Sequence, residues 1–130
     1  MTVDVLPIDE ITRMEEGKGI SAKGRIPSKA EFFQDHFPDF PVLPGVLALE
    51  ILRQTAVRYL EKAAPAQARV WEIGSVRAVK FARYLKPGDA WESRLDLVSC
   101  GEKESEWKAV LLHGGETAVS AKFRIRNSRD

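Results

Sequence analysis

His36-Phe37-Pro38-Asp39-Phe40-Pro41-Val42-Leu43-Pro44-Gly45, followed without a break by Val46-Leu47-Ala48-Leu49-Glu50-Ile51-Leu52-Arg53-Gln54, is the stretch around which the chain is organised. Three prolines fall within the seven residues from Pro38 to Pro44. They fix φ and turn the residues before them away from helical backbone, so this half reads as a stiff, extended loop. Pro44-Gly45 closes the loop, and an apolar helical pattern opens at once. Glu50 is the only polar side chain between Gly45 and Leu52. A helix turn that is apolar nearly all round is expected to be buried. A carboxylate there costs free energy unless it is paired or stays protonated. A chain that accepts such a cost commonly uses the group, and His36 lies 50 − 36 = 14 residues upstream, beyond the rigid loop.

The helical pattern runs on to about residue 63, roughly 19 residues and about 28 Å at 1.5 Å per residue. Glu50, Gln54, Arg58 and Glu61 form a narrow polar stripe, and Val46, Leu49, Leu52, Ala56, Val57 and Leu60 cover much of the rest. Upstream, residues 9–16 and 19–26 read as a hairpin about Gly17-Lys18-Gly19. Ser28 with Glu31 resembles a capping box, which predicts a short helical turn over 29–35 bearing Phe32 and Phe33. Downstream, 69–84, 90–99, 105–113 and 116–126 read as strands. Lys86-Pro87-Gly88-Asp89 has the residues of a type II turn, and Gly114-Gly115 those of a tight hairpin.

One long apolar helix with no second helix to cover it must be enclosed by a sheet. The expectation is therefore a single α+β domain over residues 1–130, a hairpin and a meander of about four antiparallel strands curving round a central helix. Exposed sheet edges and uncovered helix point to a dimer.

Bulk properties narrow the function. A net charge of +1 gives no pull toward nucleic acid or an anionic membrane. A single cysteine, Cys100, permits neither an internal disulfide nor a zinc cluster, which suits a cytoplasmic location. Residues 1–7 lack the pattern of an export signal. No apolar run approaches the roughly 18 residues of a membrane span.

The His36–Gly45 motif, with an acid fourteen residues after the histidine, resembles the 3-hydroxyacyl-acyl-carrier-protein dehydratases of fatty acid synthesis, which have the hotdog fold. Glu31-Phe32-Phe33-Gln34-Asp35, Gln54, Val79-Lys80-Phe81-Ala82-Arg83, Lys86-Pro87-Gly88-Asp89 and the hairpin at Gly114-Gly115 extend the likeness over roughly residues 6–125. The family usually has glycine where Asp35 and Asp39 stand, and residues 7–13 replace its N-terminal aromatic-proline segment poorly. These departures suggest a specialised relative in a polyketide, aryl polyene or other dedicated acyl pathway.

The resemblance implies a cofactor-free, metal-free hydro-lyase that removes water from 3-hydroxyacyl thioesters to give trans-2-enoyl products. His36 would be the base for the C2 proton and Glu50 the acid for the departing C3 hydroxyl, the two meeting across a dimer or a trimer of dimers. Apolar neighbours of Glu50 would favour its protonated form. The plainer reading is an acid paired with Arg53 or Arg58. Gly45, at a helix start, would let its amide polarise the thioester carbonyl. Gln54 would steady Glu50 or lie on ordinary helix surface. Phe37, Val42, Val46, Leu47 and Phe81 would contact the acyl chain or simply fill core. Lys80, Arg83 and Lys86 would face an acidic acyl carrier protein or plain solvent. His113 reads as structural. Alternatives are a CoA-linked enoyl hydratase or thioesterase on the same fold, and a non-catalytic acyl-thioester-binding module.

Overall fold

Alternation of apolar and charged residues builds the sheet. Along β5, Glu104–His113, the side chains of Ser105, Trp107, Ala109 and Leu111 are buried while Glu104 and Lys108 face solvent. Along β6, Glu116–Asn127, Ala121, Phe123 and Ile125 are buried against exposed Lys122, Arg124 and Arg126. A period of two with one face packed and one wet is what an antiparallel sheet requires. The other strands are β1, Glu10–Glu15; β2, Gly19–Arg25; β3, Trp71–Phe81; and β4, Ala90–Cys100. A single long helix, α1, spans Gly45–Ala63. The computed structural model describes residues 8–27, 43, 45–63 and 71–127.

All strand pairings are antiparallel, in the order β1-β2-β4-β5-β6-β3. The architecture is α+β, as expected, but the downstream strands do not form one meander. Only β4, β5 and β6 follow one another. β3 crosses over to pair with β6 and becomes an edge strand. Alternation within a strand identifies its two faces but not its neighbour, so the crossover left no mark in the pattern. The predicted turns form with their expected geometry. Gly88 has φ 85° and Asp89 N donates to Lys86 O at 3.0 Å, while Gly114 and Gly115 have φ 61° and 80°. Both glycines at positive φ make the hairpin turn that matches strand twist.

The helix lays Ala48, Ile51, Leu52, Thr55, Ala56, Tyr59 and Leu60 on the inner face of the sheet. There it meets Ile20 and Ala22 of β2, Leu95 of β4 and Trp107 and Leu111 of β5 in one core cluster. Each large side chain so buried contributes about 1.5–3 kcal/mol. Tyr59 packs edge-on to Trp107, their ring centroids 5.3 Å apart, and its hydroxyl accepts from Gly17 N at 2.8 Å. The helix C-terminal half is thereby tied to the β1–β2 turn. The helix is not enclosed on all sides, contrary to the reading of its first turns as buried all round. Val46 is 72% exposed, because the sheet covers one face only.

One polar contact sits inside this interface. Thr55 Oγ1 donates to Ile51 O at 2.9 Å and lies 2.8 Å from Ser93 Oγ, and both residues are fully buried. Because the threonine proton goes to the carbonyl, Ser93 is the donor to Thr55. Thr55→Val should then strand the Ser93 hydroxyl and cost about 1–3 kcal/mol, whereas Thr55→Val with Ser93→Ala should recover most of that loss. Chemical denaturation of the three proteins checks this; a double variant less stable than Thr55→Val would contradict it.

Candidate functional site

The first turns of α1 carry most of the site predicted within the described residues. Their place is set from outside the helix. Leu43 N donates to Leu85 O at 2.7 Å, and Ile26 N and Gly88 N exchange bonds with Asp89 O and Ile26 O at 2.8 and 2.9 Å. The segment entering the helix is thus stitched to the loop that follows β3. That loop begins after Phe81, whose ring lies against Gly45. A Cβ added to Gly45 would stand 2.9 Å from Cε1 and Cζ of Phe81. Absence of a side chain permits this approach. Phe81 remains 44% exposed, and Val46 and Tyr84 are exposed at 72% and 60%. Leu47 is partly buried against the core. The helix N-terminus therefore opens on an apolar, solvent-facing surface.

Glu50 lies about 7.5 Å further along the axis. Its side chain is only 16% exposed, so the sequence expectation of poor solvent holds. Its surroundings are nevertheless polar. Arg53 Nε donates to Oε1 at 2.8 Å and Arg53 Nη2 to Oε2 at 2.6 Å, a two-pronged pair. Gln54 Nε2 donates to Oε2 at 3.3 Å. Of the two arginines weighed as partners, Arg53 makes the contact; Arg58 is exposed. Spacings of three and four residues bring side chains to one helix face, and this signal was open to a reader of the sequence. The hydrogen bonds to Glu50 raise the guanidinium above its ordinary value, against burial that lowers it, and the carboxylate charge adds to the rise. Arg53 therefore stays cationic over any working pH.

His36, Phe37 and Val42 lie outside the described residues, as do Asp35, Asp39 and the helical turn predicted over 29–35. Lys80, Arg83 and Lys86 are exposed at the end of β3 and in the loop after it, with Arg83 paired to Glu116. An open depression of about 370 Å³ there is lined by Arg83, Tyr84, Leu85, Lys86, Asp89 and His113. His113 Nδ1 lies 2.6 Å from Ala90 O, tying the end of β5 to the start of β4. Trp91 and Trp107 are core residues.

The chain as a whole is similar to known proteins. The family model described as "ApeI-like: ApeI dehydratase" matches residues 12–122. The chain is 31% identical over 118 residues to a 3-hydroxyacyl-[acyl-carrier-protein] dehydratase FabZ of Clostridium botulinum, with 91% of this chain and 82% of that protein covered. It is 33% identical over 119 residues to the protein of the same name from Latilactobacillus sakei, covering 92% and 85%. Among solved structures, the dehydratase heterocomplex ApeI:P from Xenorhabdus doucetiae superposes with a TM-score of 0.78 at 14% identity, over 95% of this chain and 83% of that one. The E. coli PaaI protein from the phenylacetic acid degradation operon gives 0.65 at 10% identity, over 92% and 79%. At such identities the structural likeness establishes the hotdog fold and nothing further.

The Gly45–Phe81 contact makes a direct prediction. Gly45→Val should destabilise the fold by about 1–3 kcal/mol. Phe81→Ala in the same chain should remove much of that cost, a coupling readable in a double-mutant cycle of denaturation. Strictly additive effects would show that the ring does not meet the added side chain.

Proposed function

The chain belongs to the ApeI-like dehydratase family, and we propose that it eliminates water from 3-hydroxyacyl thioesters carried on an acyl carrier protein, giving trans-2-enoyl thioesters in fatty acid synthesis or a related dedicated acyl pathway. The observation that carries the reading is the placement of Glu50, a sheltered carboxylate near the start of the central helix, in a chain whose family match spans residues 12–122. The names of the FabZ relatives supply the substrate class.

Elimination needs a base for the C2 proton, a proton exchanged at the C3 hydroxyl, and a donor for the thioester oxygen. His36 is the proposed base, since an imidazole titrates near working pH. Glu50 is the proposed partner of the hydroxyl, giving up a proton to it as water leaves. Gly45 offers an amide at the positive end of the helix dipole, where a thioester carbonyl gaining enolate character is stabilised. Phe37, Val46 and Phe81 line the approach of the acyl chain. No step calls for a cofactor.

A second copy of the chain completes this scheme, His36 of one protomer facing Glu50 of the other. Support comes from β3, an edge strand of eleven residues that ends beside exposed Val46, Phe81 and Tyr84. An unpaired edge with apolar neighbours is suited to sheet-to-sheet pairing. Lys80, Arg83 and Lys86 form the proposed docking rim for an acidic carrier. An exposed, free Cys100 fits a reducing cytoplasm.

Hydration of crotonyl thioesters, presented on carrier protein and on CoA, tests the assignment. Wild type should turn over, with preference for the carrier-bound substrate. His36→Ala and Glu50→Gln should each lose on the order of 10²–10⁴-fold in kcat. Full activity in either variant would reject the role given to that residue. Sedimentation should return at least twice the chain mass; a monomer at working concentration would reject the shared site.

A further inference from the structure

We propose that Arg53 is a positioning residue for the reaction: it grips both carboxylate oxygens of Glu50 and thereby selects the oxygen, Oε1, that meets the substrate hydroxyl. This rests on the dehydratase reading of Glu50 given above.

The argument begins with the number of acceptor directions. A carboxylate oxygen offers two in-plane lone pairs. Oε2 receives Arg53 Nη2 at 2.6 Å and Gln54 Nε2 at 3.3 Å, so both of its directions are engaged. Oε1 receives Arg53 Nε at 2.8 Å and, among the described residues, no second donor. The fork geometry of a guanidinium on a carboxylate fixes the plane of the group as well as its position. All three donors come from α1, at i+3 and i+4, on one helix face.

The alternative is an ordinary helix-surface ion pair. Such a pair is exposed, salt-screened and loosely held. Here the side chains of Glu50 and Arg53 are 16% and 24% exposed, and the guanidinium is turned back along the helix onto the acid. A lysine at this position would keep the charge but lose the fork. Positioning effects of this kind act on the chemical step, because a carboxyl misplaced by about 1 Å is worth up to roughly 100-fold in rate.

Steady-state hydration of crotonyl thioesters by wild type, Arg53→Ala, Arg53→Lys, Arg58→Ala and Glu50→Gln tests the proposal, each variant also being melted to check its fold. Arg53→Ala should lower kcat roughly 10–100-fold with little change in KM. Arg53→Lys, which keeps the charge but loses the fork, should recover only part of the lost rate. Arg58→Ala should match wild type. The proposal is overturned by wild-type kinetics in Arg53→Ala, by a rise in KM alone, by full recovery of the rate in Arg53→Lys, or by a fall in kcat that follows only a loss of melting temperature. If Glu50→Gln is fully active, or wild type shows no turnover, the reading of Glu50 falls and takes the clamp with it. A disabled Glu50→Gln beside an unaffected Arg53→Ala removes the clamp alone.

Discussion

One packing constraint governs the rest of the molecule: a single helix must find cover for its apolar stripe, and only a sheet is there to give it. Ile51, Leu52, Ala56 and Leu60 reach zero or near-zero exposure by lying across β2, β4 and β5. That seat leaves the opposite side of the first turns uncovered. The same requirement that buries Ile51 therefore turns Val46 outward and holds Glu50 at the boundary between core and solvent. A carboxyl at such a boundary is sheltered enough to respond to its neighbours and open enough to meet a ligand, which a fully buried acid would not be.

Polar groups within the interface are handled in two ways. Where solvent is shut out, a chain of bonds runs from Ser93 to Thr55 to Ile51 O, while the Trp91 indole N–H is left without an acceptor among the described residues. Where the helix faces outward, the Glu50 carboxyl is braced by the Arg53 guanidinium one turn away. The outer sheet face follows the same economy. Glu106 accepts from both Arg77 and Arg124, joining β3, β5 and β6 across three strands. Pairs of this exposed kind contribute little to stability, so the fold rests on the inner face and the outer face is free to vary.

Much of this was legible in the residues. The long helix, the β1–β2 hairpin and the two glycine turns follow from local chemistry: φ freedom at Gly88, Gly114 and Gly115, and the 3.6-residue spacing from Ala48 to Leu60. The acid at Glu50 stood out because nothing else between Gly45 and Leu52 is polar. Two features resisted. The transfer of β3 to the far edge of the sheet depends on which strand offers a matching inner surface, and alternation within one strand carries no such information. The clamp on Glu50 was written at i+3, but Arg53 and Arg58 both stood as candidates for it. Sequence shows that a side chain is flanked by leucine and isoleucine. It does not show that those flanks point to the sheet while an arginine one turn on points back. The family likeness, resting on the residues from His36 to Gly45, led to the same fold and the same reaction class as the comparisons.

The central claim is that two protomers build each catalytic site, the imidazole from one and the carboxyl from the other. Co-expression of His36→Ala and Glu50→Gln chains, each carrying a different affinity tag so that the mixed dimer is purified, addresses it most directly. If the site is shared, one site in every mixed dimer is wholly wild type, and dehydratase activity returns to about half of the wild-type level per dimer. If the mixed dimer is as inactive as its two parents, the two groups do not meet across the subunit boundary and the account is wrong.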